Sequence, residues 1–289
     1  QAEDGIRDLV RSRGLGDVYK RQDKGIREMK RIFAEKYGAN PKFMQDIGME
    51  SKGLEFSEYM TKESLAQQGG YGLTLKGPQH DEAWLIFLDM VHNFMPTFED
   101  KAEALHWFPM WRTWFGLNGL CKLPWNDIVP EDNKDTEEPA KVIKHVESYA
   151  QYFSSVTGRQ ASPDDLIRMS EGVYNFQRIF NLRQGFGTRK HDTVPYRAVG
   201  PVTEEEYNSR AERYDRQLSQ DHGVDISGMS IEEKMAKLRH IREDRYQQLK
   251  DAVYARRGWT NNGVPTLAKV KALGMDFPEV VELLTPHQE

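Results

Sequence analysis

Cys121 is the single cysteine among 289 residues. It stands in Trp111-Arg-Thr-Trp-Phe-Gly-Leu-Asn-Gly-Leu-Cys-Lys-Leu-Pro-Trp-Asn-Asp-Ile128. Two glycines there let backbone approach another group closely, and the tryptophans are placed to wall the sulfur off from water. On these surroundings alone the thiol reads first as a small core residue, because cysteine packs like a small hydrophobe. One cysteine cannot form an internal disulfide. Nor can it hold a metal centre by itself, since tetrahedral zinc and iron–sulfur sites take four ligands.

Three other groups have chemical potential. His80 closes the glycine-rich stretch Gln67-Gln-Gly-Gly-Tyr-Gly-Leu-Thr-Leu-Lys-Gly-Pro-Gln-His80, where an imidazole either hydrogen-bonds its own loop or moves a proton near neutral pH. Arg183, Arg189, Lys190 and Asp192 surround a second loop. Guanidinium groups suit phosphate geometry, and an ion-paired structural turn is the equal alternative. Trp125, Asn126 and Asp127 line a channel or, for the tryptophan, fill a core. His92 and His106 read as helix-surface or core residues, and His191 belongs to the basic loop.

The elements that position these residues must come from an ordinary globular chain. Hydrophobic residues make up 38%, and six Trp, 13 Phe and 12 Tyr argue against disorder. At this length a chain buries roughly three-quarters of its unfolded surface. The net charge of −5, with both signs interspersed, provides no basic stripe for a nucleic-acid backbone. No apolar run reaches the length of a membrane span, and none at the start resembles a secretory leader, so the expectation is a cytoplasmic protein without membrane or nucleic-acid partners.

Apolar spacing predicts a short amphipathic helix over residues 25–37, carried by Ile26, Met29, Ile32 and Phe33. Residues 51–59 are too short for a helix. Trp84, Leu85, Leu88, Val91 and Met95 have helical spacing, and a further stretch through Ala102, Leu105 and Phe108 leads into the cysteine segment. The acidic run 131–138 reads as a solvated loop. Ser162-Pro-Asp-Asp165 starts a helix, whose buried face is expected to carry Leu166, Met169, Val173, Phe176 and Phe180 as far as Arg183. Residues 200–230 are polar and read as an insertion. Ser230 with Glu233 caps a second long helix through Met235, Leu238, Ile241, Leu249 and Val253. There is no strong strand-period segment, so the fold class is mainly α.

Several blocks resemble, in order, the tungsten-containing aldehyde ferredoxin oxidoreductase family. Gly119-Leu-Cys121 resembles the end of its second pterin signature, DxxGLC. Lys52-Gly-Leu-Glu55 with Tyr59 resembles the entry to its third domain, and Lys76-Gly-Pro-Gln-His80 resembles its RGxxH. The run Tyr174 to Arg197 is similar to ERLFNLxxG…R.DDTLPxR, and Arg256-Arg-Gly-Trp-Thr-Asn-Asn-Gly-Val-Pro-Thr266 with Leu273-Gly-Met is similar to its C-terminal pattern. The aspartate of DxxGLC has no counterpart, its place being taken by Gly116.

The resemblance implies helical C-terminal domains with the N-terminal β pterin-binding domain absent. Residues 1–22 resemble translated sequencing adaptor and are expected to be an artefact. Residues 23–49 are then a remnant of the middle helical domain, and 50–289 the C-terminal helical domain. It further implies a tungsten bis-pyranopterin and a 4Fe–4S cluster, both needing residues outside this chain, among them a CxxCxxxC triplet. Cys121 would close the cluster's coordination. Asn118, Gly119, Leu120 and Arg189 would contact the pterin, and His80 would act as the catalytic acid–base beside the metal–oxo centre. The implied reaction oxidises aldehydes to carboxylic acids with ferredoxin or another electron-transfer protein as acceptor, in a possible homodimer, and the piece alone is expected to be inactive. The alternatives are an aromatic acyl-CoA reductase-like subunit and a non-catalytic helical interaction module, the latter favoured by Gly116.

Overall fold

The computed structural model describes residues 25–38, 48–57, 62–79, 81–82, 84–122 and 146–288. Residues 1–24, His80, the acidic run 131–138, and Trp125, Asn126 and Asp127 therefore lie outside the described residues. The chain is mainly α, as its periodicity predicts. Helix α1 (Gly25–Tyr37) rests against a hairpin through Arg27 and Lys30, which reach Glu50 at 3.0 and 3.3 Å. The hairpin, β1 (Glu50–Ser51) and β2 (Leu54–Glu55), is antiparallel. Its two turn residues, Lys52 at φ +57° and Gly53 at φ +82°, have the left-handed pair of angles that a tight type I′ hairpin turn demands. The Lys-Gly-Leu-Glu wording is thus a turn with a lysine held in a costly conformation.

Helix α2 (Leu65–Gly72) is short, and Ser64 starts it by accepting a hydrogen bond from the Gln67 amide at 3.0 Å. The same hydroxyl donates to Asp89 at 2.7 Å. Ser64→Ala removes both contacts in a buried setting, and a loss of about 2 kcal/mol is expected, read as a lowered urea midpoint at unchanged slope.

The core is built on α3 (Phe98–Leu117), which packs against α2, α5 (Pro163–Arg183) and α9 (Ile231–Arg257). Leu105, Phe108, Trp111 and Trp114 of α3 meet Leu166 and Tyr174 of α5 and Leu249 and Val253 of α9 in one buried cluster. Pro109 inside α3 has no amide hydrogen, so the carbonyl of Leu105 lacks its helical donor. Arg257 of α9 supplies one at 2.9 Å. Its guanidinium also lies over the rings of Tyr174 and Trp259.

Both expected long helices form with the caps their sequences announce, Ser162 with Asp165 and Ser230 with Glu233. The buried face of α5 differs from expectation. Met169, Phe176 and Phe180 are 46%, 56% and 53% exposed, while Tyr174, Asn175, Arg178 and Ile179 face inward. The helix is turned because Arg178 and Asn175 find buried partners, Asp192 and Trp259, and these outweigh the apolar stripe. The helix expected over residues 84–95 is reduced to one wide turn, Phe87–Val91. The Gln67 side chain accepts from the Leu85 and Ile86 amides at 2.7 and 2.8 Å, and Asn93 breaks away at φ +53°.

After helix α4 (Val146–Thr157) and α5, the chain forms α6 (Tyr196–Val199), α7 (Glu204–Asn208) and α8 (Ala211–Arg216). The polar stretch 200–230 has a small core of its own, Tyr207, Tyr214 and Leu218 against Leu238 of α9. Helices α10 (Leu267–Ala272) and α11 (Pro278–Leu284) close on α5 through Ile179, Leu182, Val270 and Leu284. No helix among the described residues is long and apolar enough to cross a membrane.

Candidate functional site

The turn that carries the thiol begins where α3 stops. Helical bonding ends when the Asn118 and Leu120 amides fold back onto the Trp114 and Phe115 carbonyls at 3.2 and 3.0 Å, and the Asn118 side-chain amide donates to Trp114 at 2.8 Å. Gly119 at φ +66° makes the bend, and a Cβ there would meet nothing within 4 Å. Glycine is therefore required by the turn and not by a close neighbour.

Cys121 follows, and it is exposed. This corrects the expectation of a thiol walled off by tryptophan. Because α3 continues to Leu117, Trp111 and Trp114 stay on its core face, 3% and 4% exposed, while the bend carries the sulfur out to the surface. There it borders an apolar groove of about 480 Å³ lined by Phe115, Leu120, Tyr149, Tyr152 and Val156. Tyr149 is held beneath by stacking on Trp114 and an edge contact with Phe115, both with centroids at 5.2 Å.

The chain on the far side of Cys121 is tied to the loop that follows the glycine-rich stretch. Lys122 and Asp81 pair at 3.3 Å, and Lys76 also pairs with Asp81. Burial pushes the Asp81 carboxyl up, but the two lysines hold it below the usual carboxylate range. Buried Arg112 donates from Nε to the Asp81 carbonyl at 2.7 Å and from Nη2 to the Lys122 carbonyl at 3.1 Å. Asp81 is the residue after His80, and Lys122 the residue after Cys121. The flanks of two candidate residues are thus brought together. Glu82 beside them is buried, with the Leu75 amide donating to it at 3.4 Å. Burial, with repulsion from Asp81, raises its carboxyl above the usual range against the pull of Lys76.

Arg189 lies elsewhere. Its guanidinium is engaged by Asp251, by the Gln247 carbonyl and side chain at 3.1 Å and by the Asn261 carbonyl at 3.1 Å. These partners come from α9 and the turn after it, which is the ion-paired arrangement of the two readings left open. His191 meets the Thr188 hydroxyl at 3.0 Å through Nδ1. His106 is half-buried, and burial with the charge of Arg257 holds its imidazole down to about 4, which leaves it neutral at physiological pH.

Asp192 is fully buried and paired with Arg178 at 2.7 Å and Lys52 at 3.0 Å, with the Tyr254 hydroxyl donating at 2.6 Å. Burial alone would raise its carboxyl; the two cations and the hydrogen bonds hold it well below the usual range. Lys52 and Arg178 stand in stretches that carry the resemblance but were given no role there, and Arg112 went unnoticed in the sequence. A usable signal was present, since Arg112 stands between Trp111 and Trp114 and Arg178 precedes Ile179, each a charge inside an apolar helix face.

Among the described residues no cluster of three or more His, Cys, Asp or Glu side chains could hold a metal ion. Cys121 nevertheless fits one corner of a cluster whose other ligands arrive from outside: its thiol is exposed, sulfur is the soft donor iron–sulfur centres take, and the groove beside it is apolar. Asn118, Gly119 and Leu120 are exposed, but their amides are spent on closing the helix. What they offer a ligand is carbonyl oxygen, suited to a group that donates hydrogen bonds, such as a pterin ring edge, and unsuited to phosphate.

A family model described as aldehyde ferredoxin oxidoreductase, domains 2 and 3, matches residues 2–275. A tungsten-containing aldehyde ferredoxin oxidoreductase of Thermococcus kodakarensis is 24% identical over 170 residues, 57% of this chain and 25% of that protein. The chain therefore spans about a quarter of the length of the curated relative it matches.

Proposed function

The chain belongs to the aldehyde ferredoxin oxidoreductase family, and on that premise we propose that it forms the helical side of a tungsten–pyranopterin and iron–sulfur centre in an enzyme oxidising aldehydes to carboxylic acids. The carrying observation is the exposed Cys121 directly after the Gly119 bend, at the mouth of an apolar groove. When bound, the tungsten pterin supplies two-electron exchange with the carbonyl carbon and the 4Fe–4S cluster passes electrons on singly.

This chain's own residues then have limited tasks. Cys121 donates one thiolate to the cluster. The carbonyls of residues 118–120 would accept hydrogen bonds from the pterin, and Arg189 holds the 188–192 loop to α9. The overall reaction converts an aldehyde and water to a carboxylic acid, two protons and two electrons. His80, a general acid–base in this proposal, hands one of those protons to solvent, and ferredoxin takes the electrons. A non-catalytic helical module is the second reading, favoured by Gly116 where the pterin signature has aspartate.

Anaerobic purification of the full-length protein separates the two readings. Tungsten, about four iron atoms per chain and aldehyde-dependent reduction of a viologen dye are expected. A folded full-length protein with neither metal would establish the module instead.

A further inference from the structure

The five residues from Asn118 to Lys122 leave a buried helix for solvent, and an exposed turn of this kind would ordinarily wander. It is closed at both ends. At its start, the Asn118 and Leu120 amides are bound by the last carbonyls of α3. At its end, the Lys122 carbonyl is bound at 3.1 Å by Arg112, which belongs to the same helix. Cys121 lies between the two closures.

Arg112 is 1% exposed, and a guanidinium buried so deeply costs several kcal/mol of lost hydration unless its donors are used. Its Nε is used on a different segment, the Asp81 carbonyl at 2.7 Å. Those two carbonyls belong to residues 41 positions apart, whose side chains also pair with each other at 3.3 Å. The ring of Phe115 lies 5.7 Å from the guanidinium carbon and limits its tilt. Only arginine among the cations has a planar fork able to hold two separate carbonyls at once. A lysine ammonium also has several donors, but they rotate on a flexible stem and fix no angle between the two carbonyls.

We propose that Arg112 is a positioning residue: by clamping the Lys122 and Asp81 carbonyls to α3 it fixes where the Cys121 sulfur is presented. The proposal rests on the reading of Cys121 as a cluster ligand for its purpose, though not for its geometry.

The test uses the sole cysteine as its probe. In the 289-residue chain, Arg112→Lys should raise amide exchange in segments 81–82 and 118–122 together by about tenfold and change the rate of Cys121 alkylation by iodoacetamide at least severalfold. Exchange in α5 and α9 should stay as it was. If Arg112→Lys does not fold, Arg112→Gln, whose amide can hold one carbonyl, takes its place. Unaltered exchange and alkylation, loss confined to one segment, or failure of both variants to fold would each overturn the clamp, the last by making Arg112 a core residue only.

In the full-length enzyme, Arg112→Lys should lower kcat about tenfold at unchanged KM and iron content. A raised KM with unchanged kcat would assign the residue to substrate binding and overturn the positioning role. The exchange and alkylation arms need no cofactor. Absence of iron from the unsubstituted full-length protein would therefore sink the cluster reading while leaving the clamp to stand or fall separately.

Discussion

Asp192→Ala is expected to cost about 3–5 kcal/mol, a large share of the roughly 5–15 kcal/mol that holds a typical domain folded. The carboxylate is the common partner of Arg178 and Lys52, and all three side chains are buried. Deleting it strands two cations in the core, a far larger penalty than the pair's net contribution when intact. The Tyr254 hydroxyl loses its acceptor as well. Urea denaturation followed by tryptophan fluorescence reads the effect; a loss below about 1 kcal/mol would show that water reaches the site.

The same carboxyl sets an acid limit. Its folded value lies below the unfolded one, near 3.9, so its contribution is complete above that unfolded value and disappears as pH falls toward the folded value. Stability should therefore drop steeply below about pH 4, and Asp192→Asn should flatten that acid limb.

Cys121→Ala should behave in the opposite way, with a large effect on chemistry and almost none on folding. Because the thiol is exposed, the substitution should change the stability of the chain by no more than about 0.5 kcal/mol. In the full-length enzyme the same change should abolish the 4Fe–4S signal in electron paramagnetic resonance and reduce aldehyde oxidation by about a hundredfold or more. Unchanged iron content and an unchanged signal would remove Cys121 from the cluster. A large loss of stability would return it to the packing role that its apolar neighbourhood first suggests.

Caps and turns were legible because they are local. Ser162-Pro-Asp-Asp165 and Ser230 with Glu233 carry their hydrogen-bond partners three residues away, and both helices begin where those words place them. The face of α5 was not legible. Periodicity counts apolar residues, and it ranked Phe176 and Phe180 above Arg178 and Asn175, whose partners Asp192 and Trp259 are far along the chain. The cysteine turn shows the same division. The glycines before Cys121 read as points of close backbone approach, whereas Gly119 serves a bend with open space beside it, and whether the sulfur faces tryptophan or water depended on how far the helix ran. Asp81 after the Lys76-Gly-Pro-Gln stretch and Lys122 in the cysteine segment stand 41 positions apart, and nothing local marks Arg112 as the side chain that joins them.

The hairpin has a consequence for the order in which the chain is made. Ser51 donates to the Thr193 carbonyl across 142 positions, and Lys52 reaches Asp192 beside it. Arg178 and Asp192, only 14 positions apart, can meet soon after both leave the ribosome. Lys52 must wait for them. At about 5–20 residues per second it stands for roughly 7–28 s without the anion that its left-handed turn is shaped to reach. A pause in translation anywhere in that interval lengthens the exposure of the unfinished first half, the period in which a holding chaperone has the most surface to grasp.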